Sequence, residues 1–113
     1  MIIPLHIETH DRHLAFEMLG ANSTTRGDTI DAPGGVSLEY EGSLVRKAFG
    51  IPEVLQFVLD TSINVEIGLF SAWLYDKVKG KDVERIIVNR RVITEITSEG
   101  IRQVLEEEIR SSR

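Results

Sequence analysis

A chain of 113 residues, 42% hydrophobic and 27% charged, has room for one hydrophobic core; its composition is not that of a disordered, collagen-like or membrane-embedded chain. Thirteen Lys and Arg against eighteen Asp and Glu leave a net charge of −5, the opposite of the balance a phosphate backbone selects, so nucleic acid is disfavoured as a partner. Cysteine is absent, which removes disulfides, thiolate catalysis and cysteine-ligated metals and suits a reducing, cytoplasmic setting.

Ile2 to Glu8 alternates as a strand, with Leu5 and Ile7 on one side and His6, Glu8 and His10 on the other. The start of the chain, Met1 to His6, has no basic start and its short apolar run is soon interrupted, so no signal peptide is expected. Leu14 to Leu19 reads, by a narrow margin, as a second strand. Residues 20–35 are rich in Gly, Ser, Thr and Asp and read as a polar loop. A loop that long in a small domain is either functional or conceals a short strand. Val36 to Glu41 reads as a strand, with Val36, Leu38 and Tyr40 on one face and Ser37, Glu39 and Glu41 on the other. Ser43 is placed to cap a short helix through Phe49, and Gly50 to stop it. Pro52 and Glu53 suit the first turn of the next helix.

From Pro52 to about Lys79, apolar residues recur at three- and four-residue spacing on two neighbouring faces. This predicts a long, largely buried central helix, bent near Thr61 or Gly68. The alternation from Ile63 to Leu69 offers a strand for that part. Trp73 to Gly80, with late lysines and a terminal glycine, reads as a helix end. Glu53, Asp60 and Glu66 interrupt the stretch too often for it to span a bilayer, so no membrane is expected. Val83 to Ile96 predicts a β-hairpin turning at Asn89-Arg90. Thr97 or Ser98 then caps an amphipathic helix to about Arg110, its stripe Ile101, Val104, Leu105 and Ile109 opposite Glu106 to Glu108. The expected architecture is a single α+β domain over residues 1–113, in two layers: N-terminal strands, a buried central helix, a β-hairpin and a C-terminal amphipathic helix.

The chemistry-bearing residues point to few sites. His6, Glu8, His10 and His13 form the one cluster that resembles a metal-ligand set once cysteine is excluded. Their spacing matches no metalloenzyme signature, and a solvated sheet face is the plainer reading. Arg90 and Arg91 close a basic stretch that begins at Lys77; arginine pairs can grip carboxylates, but Asp76, Asp82 and Glu84 partly cancel the charge. The glycines at 20, 27, 34 and 35 lack the Lys-Ser/Thr and the following helix of a phosphate loop. No serine sits in a nucleophile elbow. No cofactor is expected. Trp73, with Tyr75 beside it, is either a core anchor or an interface residue.

The stretch from Pro52 to Ile109, about half the chain, resembles small bacterial domains that accompany effectors in conflict systems as adaptors. The apolar helix ending in Trp73-Leu74, the strand pair after it and the closing segment carry the likeness, which implies an interaction module. The expected function is therefore a small cytoplasmic adaptor that binds a protein partner or itself as a homo-oligomer. Its contacts would be drawn from Trp73, Tyr75, Arg90, Arg91, Leu105 and Ile109. Two alternatives remain open: a metal-dependent or hydrolytic enzyme using His6, His10 and His13 with Glu8, and an acidic inhibitor of immunity or antitoxin type. In the latter the acidic residues 1–66, which hold ten acids and four bases, would mask a basic site through Glu39 and Glu41.

Overall fold

The computed structural model describes residues 1–20, 25–45, 50–62 and 64–111. Among them the chain runs β1 (Ile2–Thr9), α1 (Leu14–Leu19), β2 (Thr29–Ala32), β3 (Val36–Leu44), β4 (Glu53–Thr61), α2 (Ile67–Val78), β5 (Val83–Val88), β6 (Arg91–Ile93) and α3 (Ser98–Ser111). The strands form one six-stranded antiparallel sheet in the order β2-β3-β4-β1-β5-β6. This is an α+β arrangement of two layers, a sheet and three helices.

The middle of the sheet is the β1–β4 ladder, where Ile3, Leu5 and Ile7 stand opposite Leu59, Phe57 and Leu55. All six side chains are buried, and they share one apolar cluster with residues from each helix: Leu14 and Met18 of α1, Phe70 and Leu74 of α2, Ile101 and Leu105 of α3. All three helices therefore lie on the same side of the sheet. Alternation along each strand sends the intervening residues to the opposite face, on which no described element packs.

The central helix is where expectation and structure part most clearly. Its first half is strand β4, and only Ile67–Val78 is helical. A helix from 52 to 79 would be about 42 Å long, against a longest dimension of 40 Å for the whole molecule. Val54, Val58 and Thr61 are β-branched, and Leu55, Phe57 and Leu59 alternate with Gln56, Val58 and Asp60, which is the strand period. Because β4 carries apolar residues on both faces, it mimics the two-faced apolar pattern of a buried helix. Ile67 to Leu69, expected as helix with a strand as the alternative, open α2; residue 63 lies outside the described residues.

Three smaller differences have local causes. Leu14–Leu19 is a helix and not a strand: Leu14, Ala15, Met18 and Leu19 are buried at helical spacing, and Asp11 Oδ1 accepts the His13 N–H at 2.8 Å where the turn begins. The polar stretch 20–35 does hold a short strand, β2, paired with Val36 to Glu39. Ser43 and Leu44 continue β3 past a bulge between Tyr40 and Gly42 instead of opening a helix; residues 46–49 of that expected helix lie outside the described residues. The last helix follows the expectation, and the hairpin does so in part, its second strand covering only Arg91–Ile93. Asn89 (φ 45°) and Arg90 (φ 75°) take the two left-handed positions of the β5–β6 turn, and Thr97 Oγ1 accepts the Gly100 N–H at 3.0 Å as α3 starts.

Close approach requires glycine at Gly100, where a Cβ would collide with the Glu95 carbonyl, and at Gly34. Gly34, between β2 and β3, has φ 88°, and a Cβ there would collide with the Glu66 carbonyl. Glu66 N–H donates to the Gly34 carbonyl at 2.7 Å, so this turn is tied to the start of α2.

The two faces of β4 give a direct check. Phe57→Ala is expected to cost about 3–5 kcal/mol in urea denaturation, because Phe57 is 1% exposed at the centre of the core. Val58→Thr, one residue along on the open face, is expected to cost less than about 1 kcal/mol. Equal losses at both positions would contradict this registration of the strand.

Candidate functional site

The face of the sheet away from the helices is left without a second layer among the described residues. Antiparallel sheets can present one face to water, and then that face is normally polar. Here it is mixed. Ile2 (62% exposed), Pro4, His6 and Glu8 come from β1, Arg85 and Ile87 from β5, and Val92 (46% exposed) from β6. Val54, which is itself buried, Gln56, Val58 and Asp60 come from β4, and Ser37, Glu39 and Glu41 from β3. The pairing fixes their neighbours: His6 stands between Gln56 and Ile87, and Ile87 is paired with Val92. Pro4 stands opposite Val58, which stands opposite Glu39.

Charge is divided across this face. On the β2-β3-β4 side it bears Asp31, Glu39, Glu41 and Asp60. Arg26 stands 3.7 Å from Glu41, and the Met1 ammonium stands 3.4 Å from Asp60. Glu39 and Glu41 share a hydrogen bond, and that bond, with their like charge, raises the Glu39 carboxyl above its ordinary value of 4.5; Arg26 acts the other way. The β1-β5-β6 side carries Arg85 and, at the hairpin turn, Arg90, with Glu8 3.8 Å from Arg85.

How Arg90 comes to be there can be read from its neighbours. Glu108 of α3 is buried; it accepts a hydrogen bond from Asn89 Nδ2 and lies 3.2 Å from Arg91 Nε, while Arg91 Nη1 is 3.1 Å from Glu107. The residues flanking Arg90 are thus bound to the helix, which fixes the turn. Arg90 itself is exposed and enters no ion pair among the described residues. A recess of about 320 Å³ lies at the turn, lined by Pro4, His6, Ile87, Asn89 and Arg90.

The residues singled out from sequence are dispersed. His6 and Glu8 share the open face as expected, but His10 leaves the sheet to meet Glu84, and His13 lies before α1 with its ring 5.9 Å from that of Phe16. No group of three or more His, Asp or Glu able to hold one metal ion forms among the described residues. Leu105 is in the core, and Trp73, Tyr75 and Ile109 are half-buried against it. The Trp73 ring stands 5.7 Å from Phe70 and 5.9 Å from the Lys77 ammonium. Ile109 also lines a second recess, of about 280 Å³, with Val65, Ile67, Glu106 and Arg110. Of the six residues expected at a contact surface, Arg90 is the one on the rim of the open face. The others of that face, Pro4, Val58, Ile87 and Val92, were legible only as apolar residues on the second side of strands that already had an apolar first side.

Comparison of the chain with family models, with characterised proteins and with solved structures gives no match. No described helix is long and apolar enough to cross a membrane.

The His10–Glu84 pair gives a pH test. Glu84 Oε1 lies 2.7 Å from His10 Nε2, and this hydrogen bond raises the imidazole pKa above 6.5 despite some desolvation, aided by the charges of Glu84 and Asp82. The folded-state value is the higher one, so the pair stabilises the fold below pH 6.5 and loses that contribution as pH rises through the folded pKa. Both groups face water, so the effect is small and salt-sensitive. In NMR titration, Glu84→Gln is expected to return His10 toward 6.5. The stability gap between wild type and variant is expected at acid pH and to close in alkali.

Proposed function

We propose that this protein is a small interaction module that binds another protein, a partner or a second copy, through the open face of its sheet. The observation that supports this reading is the composition of that face: Ile2, Pro4 and Val92 are exposed, Val58 and Ile87 are half-buried, and they are flanked by carboxylates on one side and arginines on the other. An apolar centre with a charged rim is the usual anatomy of a protein-binding patch. A cytoplasmic location suits the lack of cysteine. An adaptor beside a bacterial effector is the cellular role that the likeness of residues 52–109 supports. The face offers no paired nucleophile and base among the described residues, and this favours binding over catalysis. A second reading, an acidic inhibitor that covers a basic enzyme site, is favoured by the crowding of Glu39 and Glu41, which a cationic partner would relieve.

Affinity capture with the tagged chain tests the choice of surface. Ile87→Asp places a charge in the open face, and Leu69→Asp does so on the outer side of α2, where Leu69 is 53% exposed. A bound protein lost with Ile87→Asp and kept with Leu69→Asp is the expected result. A protein kept by the first variant and lost with the second would assign binding to the helical layer and overturn the proposal. Far-ultraviolet circular dichroism checks that both variants are folded.

A further inference from the structure

We infer that the open face is shaped to pair with a second copy of this chain, the two sheets face to face about a twofold axis parallel to the strands. The inference rests on the reading of that face as a binding surface and names its occupant. It starts from the order of the strands. β4 and β1 lie at the centre, β3 and β5 flank them, and β2 and β6 are the edges. An axis running between β4 and β1, along them, therefore lays β4 of one copy on β1 of the other and β3 on β5.

The register then says which residues meet. Glu39 is opposite Val58, Val58 is opposite Pro4, and the Asn89 N–H donates to the Pro4 carbonyl at 3.0 Å. These residues form one row across the sheet, with Glu39 toward one end and Arg90, next to Asn89, at the other. The proposed axis turns that row end for end. Val58 comes to lie on Pro4 of the other copy, and Glu39 comes to lie at the Arg90 end, twice over. The neighbouring row places Gln56 on His6, a pair able to hydrogen-bond.

Charge selects this axis over its alternative. A twofold axis perpendicular to the strands would set β3 on β3, bringing Glu39 and Glu41 against their own copies. That is like charge on like charge across a low-dielectric interface. The parallel axis instead matches charge in the row that ends at Glu39 and Arg90, while in the other rows it lays Leu44 on Arg85 and Asp60 on Ile2. Sheets packed face to face keep their strands within about 30° of each other, so the normal twist of two such sheets is compatible with it. Strands of three to nine residues at about 4.8 Å spacing give a face on the order of 600 Å² before side-chain relief, below the roughly 800 Å² per partner of a standard interface. A weak, reversible dimer is the corresponding expectation.

Sedimentation equilibrium at low salt is the test. The wild-type chain is expected to dimerise. Glu39→Arg and Arg90→Glu, each alone, are expected to weaken dimerisation at least about tenfold, because each creates two like-charge contacts per interface. An equimolar mixture of the two variants is expected to associate again, since the substituted arginine meets the substituted glutamate and the two native residues meet each other. Arg90→Gly separates binding from folding: glycine suits φ 75° and should raise Tm, yet the loss of charge should weaken the dimer. A wild-type chain monomeric to millimolar concentration, a dimer insensitive to both reversals, or a mixture that does not re-associate would each overturn the inference. If the chain is monomeric but Ile87→Asp still loses a captured protein, the open face binds a different partner and the broader proposal stands. If Ile87→Asp disturbs neither a captured protein nor the dimer, both fall.

Discussion

Ile3, Leu5 and Ile7 meet Leu59, Phe57 and Leu55 across the β1–β4 ladder, and these six side chains form the floor on which α1, α2 and α3 all rest. Every other strand is added outward from that pair: β3 and β2 on one side, β5 and β6 on the other. A chain of this length has enough apolar helix to cover one side of such a sheet. Once α1, α2 and α3 are used there, the alternate residues of the same strands are left without a protein layer. The uncovered face is thus a consequence of how the core is built.

The helical layer also shapes the rim of that face. Glu108 is buried with Asn89 and Arg91 around it, which fastens the β5–β6 turn to α3. Two successive left-handed residues, neither of them glycine, are a strained choice for a turn. The bonds made by Asn89 and Arg91 hold the strain in place, and Arg90 between them is left with its guanidinium in water. At the opposite side of the sheet, the tie between Gly34 and Glu66 plays the equivalent part by anchoring the β2–β3 turn to α2.

Much of this was legible in the residues themselves. The β1 alternation assigned His6 and Glu8 to the polar side correctly, and Asn89-Arg90 marked the hairpin turn. Thr97 with the stripe beginning at Ile101 marked the last helix. What misled was β4. A strand at the centre of a sheet whose second face is partly apolar carries Val54 and Val58 as well as Leu55, Phe57 and Leu59, and local spacing alone reads it as a buried helix. The β-branched Val54, Val58 and Thr61, the alternation of Leu55, Phe57 and Leu59, and the length such a helix would have all weigh against that reading. The same ambiguity hid the candidate site. With β4 taken as helix there was no strand beside β1 for Pro4 to pair with, hence no row linking Glu39 to Arg90. Charge segregation along the sequence was visible, but the sheet order turns it into segregation across a surface. That order depends on contacts between residues far apart in the chain.

The position of β1 at the centre of the sheet has a kinetic meaning. Thr9 pairs with Glu53 and Leu5 with Val88, so neither neighbour of β1 exists until long after β1 itself has been made. At about 5–20 residues per second of synthesis, the segment waits some seconds with both backbone edges unsatisfied. Its alternation of Ile3, Leu5 and Ile7 with His6 and Glu8 keeps it from being uniformly apolar during that interval, and Pro4 removes one N–H that a stray strand could use. The polar residues that later line the open face thus also interrupt the apolar run of the strand before its partners exist.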